Sequence, residues 1–307
     1  MARCLIIGAA GQLGRALASV FSQPYLVTEA VRCNPNSNQV EIDLANTASV
    51  MDRLKKLSPD IILIAGAYTN VDQCEEEPLL CYQVNAEGPR EIARYAKTKG
   101  GFVIYYSTDH VFDGTAPSYT ELDPVHPLNV YSQSKVEGER AMRQAIPDRH
   151  LIIRTSWLYG PDPEERNFPI RLLKRLQAEE RVPVPPDQWG SPTFTEDLAV
   201  TTHFLIDRGE IGTFHVRGPD VVNRYAYACR IASHFGFAKE RLVPTPTAEL
   251  GQVAVRALRV ELNCQKLHSL GGPPLRDIEK GLLALKEWRM DRNPLSETGF
   301  GVRKTEA

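Results

Sequence analysis

"CLIIGAAGQLG", residues 4–14, is the stretch that decides the fold. Its apolar start predicts a buried strand over 4–10, and the residues after it predict a helix over 11–23. The turn between them carries Gly8, Gly11 and Gly14. Glycines here permit a tight turn and a close approach of the backbone to a pyrophosphate, and the helix N-terminus offers free N–H donors. A glycine-rich turn without a ligand is the alternative, but its place in the first strand–helix unit favours a dinucleotide site.

The same alternation of apolar strands and amphipathic helices continues along the first half of the chain. The predicted strands are 24–31, 60–67, 101–108 and 150–160, and the predicted helices are 47–59, 78–100 and 131–146. Continuous apolar strands separated by helices indicate a parallel sheet that is covered on both faces. With right-handed crossovers, the fold class is α/β with a doubly wound, Rossmann-type sheet.

The pattern changes after residue 160, where proline-rich loops replace the regular alternation. We therefore predict a dinucleotide-binding domain over 1–160 and a smaller α/β substrate lobe over 161–289. Within that lobe, a segment near 188–217 is expected to return to the sheet. The last residues, 290–307, have little periodicity and predict a flexible tail. Further elements are predicted as helices over 168–180, 195–208 and 224–237 and a strand over 212–216.

Composition and net charge indicate neither a nucleic-acid partner nor a membrane partner. The chain has 307 residues and a formal net charge of −2, so no overall field draws it to nucleic acid or to an anionic membrane. No apolar run reaches the roughly 18–20 residues of a membrane span, and the short apolar run at the N-terminus does not fit a signal peptide. The six cysteines lack metal-ligand or CxxC spacing. We expect a cytoplasmic protein with reduced thiols and no metal site.

A candidate catalytic group follows the strand 101–108. Tyr131 and Lys135 stand four residues apart at the start of a predicted helix, so both project from one face. A free phenol with a pKa of about 10 exchanges protons poorly at neutral pH unless a nearby ammonium stabilises the phenolate. Lys135 can do this and also bind the nicotinamide ribose. Thr108, at the strand end, can hold a substrate carbonyl. The three residues together predict carbonyl reduction.

The choice between NAD(H) and NADP(H) depends on the end of the second strand. NAD sites place an acid there for the ribose 2′-hydroxyl, and Glu29 is the available acid. Arg32 lies three residues on and can hold a 2′-phosphate through two hydrogen bonds. We favour NADP(H), with NAD(H) possible. Asp43 is a candidate for the adenine amine, and the small residues after the third strand allow the cofactor to cross.

These residues also carry a family resemblance. The motifs "GAAGQLG", "AYTNVDQCEEEP", "VNAEGP", "STDHVFDG", "PLNVYSQSK", "RTSWLYG" and "DQWGSPTFTEDLA" span about residues 3 to 285. The chain resembles the extended short-chain dehydrogenase/reductases, and most closely the dTDP-4-dehydrorhamnose reductase family. This resemblance implies NAD(P)H-dependent reduction of the 4-keto group of a nucleoside-diphosphate deoxysugar, most simply dTDP-4-dehydro-L-rhamnose.

The resemblance also assigns roles along the chain. The catalytic residues are Thr108, Tyr131 and Lys135. The residues expected at the dinucleotide are Gly8, Gly11, Gln12, Leu13, Gly14, Arg32, Asp43, Leu44, Ala65, Gly66, Ala67, Tyr68, Asn85, Ser107, Tyr131, Lys135 and Ser156. The residues expected at the substrate are Thr108, His110, Val111, Phe112, Tyr131, Trp157 and Asn167. Related enzymes pair subunits through metal and acidic residues; Glu196 is a candidate, but a solvated role is favoured and no metal is predicted. A homodimer is possible.

The sequence departs from the family in three places. Related 4,6-dehydratases need an Asp-Glu pair after the threonine, whereas here His110 follows Asp109, which favours reduction over dehydration; the reductases usually carry tyrosine at that position. Ala257, Arg259 and Val260 replace Pro, Asn and Ser in "VRALRVELN" (255–263). Arg224 stands where an aromatic residue is expected.

Two alternatives to the reductase remain open. The first is a reductase or epimerase of another nucleotide-sugar. The second is a cofactor-binding regulatory subunit that resembles the beta subunit of methionine adenosyltransferase. That subunit tends to carry Ser-Ser where this chain has Ser107-Thr108, which favours an enzyme.

Overall fold

The computed structural model describes residues 1–292. Its strands are β1 (Arg3–Ile7), β2 (Leu26–Val31), β3 (Gln39–Glu41), β4 (Ile61–Ile64), β5 (Phe102–Thr108), β6 (His150–Thr155), β7 (Leu158–Tyr159), β8 (Val182–Val184), β9 (Trp189–Gly190), β10 (Thr193–Phe194), β11 (Gly212–His215), β12 (Val222–Asn223) and β13 (Leu242–Pro244). Its α-helices are α1 (Gln12–Phe21), α2 (Thr47–Leu57), α3 (Val71–Glu76), α4 (Pro78–Tyr82), α5 (Gly88–Lys99), α6 (Val130–Ala145), α7 (Phe168–Gln177), α8 (Thr195–Asp207), α9 (Arg224–His234), α10 (Gln265–Ser269) and α11 (Ile278–Arg292).

Seven strands form one sheet in the order β11-β6-β5-β4-β1-β2-β3, and every pair in it is parallel. The central strands are apolar on both sides because helices cover both faces; β4, for example, is buried throughout. The strand order reverses between β1 and β4, which is where doubly wound sheets bind ligands. The predicted Rossmann-type fold is confirmed.

Two apolar clusters fix the helices on the sheet. One packs α1 and α8 against β1 and β6 through residues such as Leu17, Ile153 and Leu198. The other packs α2, α5 and α6 on the opposite face through Leu54, Ile92 and other buried side chains. The segment near 188–217 therefore contributes both a covering helix, α8, and the edge strand β11 to the sheet.

The helix predicted over 78–100 is interrupted. It consists of α4, a π-helical turn at Gln83–Glu87 and α5. Pro89 has no N–H to give the Asn85 carbonyl four residues before it, and the Tyr105 hydroxyl donates to that carbonyl instead, at 2.7 Å. The wider turn follows from this missing hydrogen bond.

A second lobe is built around a third apolar cluster. It joins α7, α9 and α11 with the short strand pairs β7–β10 and β8–β13. The sequence did not predict α11. The last residues of this helix, 290–292, overlap the start of the predicted tail. The rest of that tail, 293–307, lies outside the described residues. Within residues 1–292, no helix is long and apolar enough to cross a membrane.

Candidate active site

The glycine turn meets the requirements of a pyrophosphate cradle. Gly8 has φ +88°, and a Cβ added to it would overlap the backbone of Gly66. A Cβ at Gly14 would overlap the Gly8 carbonyl, so helix and turn pack as closely as only glycine allows. Gly11, the N-cap residue of α1, has no side chain to cap the helix, which leaves the N–H groups of Gln12, Leu13 and Gly14 available to phosphate oxygens.

The loop after β4 lies beside this turn and is held rigidly. The N–H groups of Ala65 and Gly66 both donate to Ile7 O, at 2.9 and 2.8 Å. The buried Asn85 side chain accepts from Tyr68 N at 2.9 Å and donates to Tyr68 O and to Ser134 Oγ, both at 3.0 Å. Asn85 therefore joins the loop that includes Ala67 and Tyr68 to the catalytic helix α6. The oxygen and nitrogen of its amide are both hydrogen-bonded within the protein.

At the second strand, the two candidate cofactor determinants differ in placement. Glu29 lies inside β2, opposite Gln39, and accepts a hydrogen bond of 2.9 Å from that side chain. Arg32 follows the last residue of β2 and is exposed at the carboxyl edge of the sheet. Asp43 closes a turn by accepting from Ala45 N at 3.0 Å, and Leu44 is buried against Gly66.

The catalytic candidates converge where β5 ends and α6 begins. Asn129 caps α6 by accepting from Ser132 N at 2.8 Å, which orients the first helical turn and hence Tyr131. Lys135 lies one turn further and donates to Tyr106 O at 2.7 Å, with its ammonium 4.0 Å from the centre of the Tyr105 ring. Thr108, Tyr131 and Lys135 are 7%, 9% and 2% exposed, so water has little access to any of them.

Burial sets the proton affinities of this pair. Burial lowers the pKa of Lys135 to about 7, opposed by the negative charge of Glu139. Burial raises the pKa of Tyr131 well above its usual range, and a hydrogen bond with the Thr108 side chain opposes the rise. Tyr131 is therefore a protonated phenol at neutral pH that needs a stabilised phenolate to give up its proton, and Lys135 can exchange a proton near neutrality.

Asp109 extends the site beyond the predicted residues, and Ser156, which was predicted at the dinucleotide, is hydrogen-bonded to it. The Thr108 hydroxyl donates to Asp109 Oδ1 at 3.0 Å, and the Ser156 hydroxyl donates to Asp109 Oδ2 at 2.5 Å. Ser107 alternates to the other side of β5, where its hydroxyl is buried without a hydrogen-bond partner among residues 1–292. Asp109 thus orients the threonine hydroxyl, a role that the sequence alone did not indicate.

His110 stands at the site with its ring centre 6.0 Å from that of Tyr131, edge to face. Burial lowers its pKa, and Asp109 opposes this, so the imidazole is neutral at pH 7.

The other predicted substrate residues are placed differently. Val111 and Phe112 have no exposed surface and pack in a separate apolar cluster with Tyr119, so the structure does not present them to a ligand, contrary to the prediction. Asn167 caps α7 by accepting from Ile170 N at 3.1 Å and donates to Gln12 Oε1 at 3.1 Å. It links the second lobe to the glycine turn.

A buried ion pair joins β6 to α6, the helix that carries Tyr131 and Lys135. Arg154 and Glu139 are both at most 2% exposed and form two hydrogen bonds of 2.9 and 2.7 Å between β6 and α6. His215 lies next to Arg154, 3.4 Å away, and its Nδ1 is 3.2 Å from Asn263 O. Burial lowers the pKa of His215 to about 3, so it stays neutral beside the arginine, with its Nδ1–H donated to the carbonyl.

The second lobe reaches the catalytic helix through residues 253–259, here called the strap. Asp72 of α3 forms two hydrogen bonds to Arg256, at 3.0 and 2.9 Å, and accepts from Ala254 N at 3.0 Å. Asn129, the cap of α6, donates to Val255 O at 2.8 Å. The strap is therefore fastened to the N-terminus of the helix that carries Tyr131.

Metal ligation is not indicated in the described part of the chain. Residues 1–292 contain no group of three or more His, Cys, Asp or Glu side chains arranged around a common point. Glu196 instead pairs with Arg276 at 3.0 Å.

Together, the glycine turn, the switch point and the threonine–tyrosine–lysine group define a short-chain dehydrogenase/reductase. Residues 2–288 match the family model described as the RmlD substrate binding domain. The chain is 31% identical over 280 residues to dTDP-4-dehydrorhamnose reductase of Streptomyces griseus, which covers 89% of this chain and 90% of that protein. It is 30% identical over 275 residues to dTDP-4-keto-6-deoxy-D-glucose reductase of Streptomyces niveus, covering 89% and 93%.

Among solved structures, dTDP-4-dehydrorhamnose reductase of Bacillus anthracis in complex with NADP is similar, with a TM-score of 0.85 and 31% identity over 93% of this chain and 99% of that one. The chain belongs to the RmlD substrate-binding family.

Proposed function

We propose that this protein is an NADPH-dependent reductase of a dTDP-4-keto-6-deoxysugar, with dTDP-4-dehydro-L-rhamnose as its substrate and dTDP-L-rhamnose as its product. The observation that carries the proposal is the burial of Thr108, Tyr131 and Lys135 together at the carboxyl edge, next to the glycine turn. The names of the relatives from Streptomyces griseus and Bacillus anthracis support the same substrate and cofactor.

The residues divide the reduction between them. A bound nicotinamide supplies the hydride that reduces the keto carbon. Thr108 turns its single hydroxyl hydrogen from Asp109 to the substrate's carbonyl oxygen, while Asp109 keeps its hydrogen bond from Ser156. Tyr131 gives its proton to the same oxygen as negative charge develops on it. Lys135, one turn from Tyr131 on the same face of α6, stabilises the resulting phenolate with its positive charge.

Reduction without dehydration agrees with the charges beside Thr108. Eliminating water from a sugar requires an acid for the leaving hydroxyl and a base for the carbon proton. Asp109 is followed by His110, which is neutral at pH 7, so a second carboxylate is missing from the position where dehydratases carry one. Asp109 itself is bonded to two hydroxyl groups.

NADPH is favoured over NADH by the end of β2. Glu29 is bonded to Gln39 inside the sheet and lies away from the carboxyl edge. Arg32, exposed at that edge, can receive a 2′-phosphate through paired N–H groups.

The test is oxidation of NADPH by the purified full-length protein with dTDP-4-dehydro-L-rhamnose made in situ. Loss of NADPH absorbance, together with dTDP-L-rhamnose identified by chromatography and mass, is the expected result. No oxidation with this sugar, in a sample that binds NADPH by calorimetry, contradicts the substrate assignment.

A second candidate is reduction of a different dTDP-4-keto sugar. It is favoured by Arg224 and by Ala257, Arg259 and Val260, the changed positions in the lobe expected to hold the sugar, and by the name of the Streptomyces niveus relative. The same assay with dTDP-4-keto-6-deoxy-D-glucose separates the two candidates by their relative kcat/KM.

A further inference from the structure

Arg224 occupies an unusual position for a cation. Its guanidinium lies 3.4 Å from the centre of the Trp157 ring and 4.7 Å from that of Phe168. Within residues 1–292 its side chain has no hydrogen bond or ion pair to balance the charge. Burial lowers the pKa of Arg224 to about 10, which still leaves it charged at neutral pH. A half-buried guanidinium without a carboxylate partner has unused donors for an anionic ligand.

The surface that carries this guanidinium is fixed. Trp157 adopts φ +39°, a strained conformation for a bulky residue. A Cβ added to Gly190 would overlap the indole, so the indole has no room to move away from Arg224 on that side. The stacked guanidinium is thereby held in one plane, an arrangement that preserves its ability to bind an oxyanion through two parallel hydrogen bonds.

This cation is close to the reacting group. Trp157 directly follows Ser156, whose hydroxyl is bonded to Asp109, and Asp109 is bonded to Thr108. Arg256, the other arginine that faces His110, has its charge balanced by Asp72 at 2.9 Å. The charge of Asp109 also reaches Arg224, but the oxygens of Asp109 accept from Thr108 and Ser156, so the guanidinium keeps its donors for a ligand. The exposed Arg171 adds a second positive charge nearby.

We propose that Arg224 binds the diphosphate of the nucleotide-sugar and so selects substrates that carry one. This inference rests on the proposed function, because the keto carbon must be held at Thr108 and Tyr131. In a 4-keto sugar the diphosphate is attached at the opposite end of the ring, so it lies one ring away from that carbon. Trp157 is the next residue in the chain after Ser156, which belongs to the hydrogen-bonded Thr108–Asp109–Ser156 group. The guanidinium of Arg224, which lies over the Trp157 ring, is therefore placed to contact the diphosphate end of the sugar.

The test is calorimetric binding of dTDP and of dTMP to the protein saturated with NADP⁺. In Arg224→Gln, dTDP affinity should fall about tenfold or more, the loss of hydrogen bonds to a charged group, while dTMP affinity falls less. NADP⁺ affinity should be unchanged. Arg230→Gln is the matched control, because Arg230 is an exposed arginine on the same helix, α9. It should bind both nucleotides as the wild type does.

Three outcomes overturn the inference. Equal dTDP binding by Arg224→Gln and the wild type, in a protein that reduces the keto sugar, rejects the role of Arg224 and leaves the proposed function standing. An equal loss of dTDP affinity in Arg230→Gln would show that the effect depends only on the overall charge of the protein. A wild type that binds NADP⁺ but neither binds dTDP nor reduces the sugar rejects both proposals.

Discussion

The two sides of the active-site cleft are fixed in different ways. On the sheet side, Thr108, Tyr131 and Lys135 sit on β5 and α6 and are at most 9% exposed. On the lobe side, the strap includes Val253 and Val255, which are 61% and 64% exposed, and a few long-range hydrogen bonds hold it in place. The comparison indicates that secondary structure positions the catalytic candidates, whereas hydrogen bonds between distant residues position the strap.

If the sheet side performs the chemistry, Tyr131→Phe should have the largest effect. Losing the proton donor should lower kcat by about a thousandfold, within the range for general acid catalysis. NADPH affinity should change little, because the aromatic ring remains. Steady-state kinetics and fluorescence titration of NADPH give the two values. Tyr82→Phe, which removes an exposed hydroxyl bonded to Gln133, is the control. Near-normal kcat in Tyr131→Phe contradicts the assigned donor.

Lys135→Met should lower kcat about a hundredfold or more and also stabilise the cofactor-free protein. The buried amine has a folded pKa of about 7 against 10.5 in the unfolded chain. Below pH 7 the folded protein must bury a charge that the unfolded chain solvates, and this cost decreases as pH rises from 7 towards 10.5. Methionine removes the cost, so Tm should rise by roughly 2–5 °C at pH 7.

The pH dependence provides the check on Lys135→Met. Its advantage in Tm over the wild type should be smaller at pH 9 than at pH 7. An advantage that is the same at both pH values, or a lower Tm at pH 7, contradicts the buried-amine account. The measurement is thermal unfolding of both proteins without cofactor.

The lobe side is tested by Asp72→Asn, which removes the carboxylate that holds Arg256. The side chain of Arg256 is only 13% exposed, so without the Asp72 carboxylate its charge is buried and unbalanced. We therefore expect the strap to loosen. We expect kcat/KM for the sugar to fall about tenfold to fiftyfold and the Kd for NADPH to stay within about twofold. Asp60→Asn, which breaks the exposed pair with Arg3, is the matched control. A large change in NADPH affinity contradicts the separation of the two sides.

The smallest effect is expected at the cofactor's adenosine end. Arg32→Ala should weaken NADPH about tenfold and leave NADH nearly unchanged, since only NADPH carries the 2′-phosphate. Direct titration of both cofactors measures this, with Arg230→Ala as control. Equal losses for NADPH and NADH reject a 2′-phosphate contact.

The sequence predicted the sheet side well because that side depends on local patterns. "CLIIGAAGQLG" specifies a strand, a tight turn and a helix within a few residues, and the spacing of Tyr131 and Lys135 places both on one helical face. Even there, Pro89 interrupts the helix predicted over 78–100, and the Tyr105 hydroxyl donates to the Asn85 carbonyl that Pro89 leaves free, a contact that no local pattern shows.

The lobe side was less accessible to sequence because its contacts join distant residues. Asp72 binds Arg256 across 184 positions, and Asn167 meets Gln12 across 155. The stacking of Arg224 on Trp157 likewise depends on tertiary packing. Patterns with helical or strand periodicity report burial of a face and carry no information about such partners.

The most direct test of the account is transfer of deuterium from NADPH that is labelled at the transferable position of the nicotinamide. The wild-type protein and dTDP-4-dehydro-L-rhamnose should yield dTDP-L-rhamnose with one deuterium at carbon 4 of the sugar, measured by NMR and mass spectrometry. Product formed without deuterium at that carbon, or label found elsewhere in the sugar, would contradict direct hydride transfer at the Thr108–Tyr131–Lys135 site.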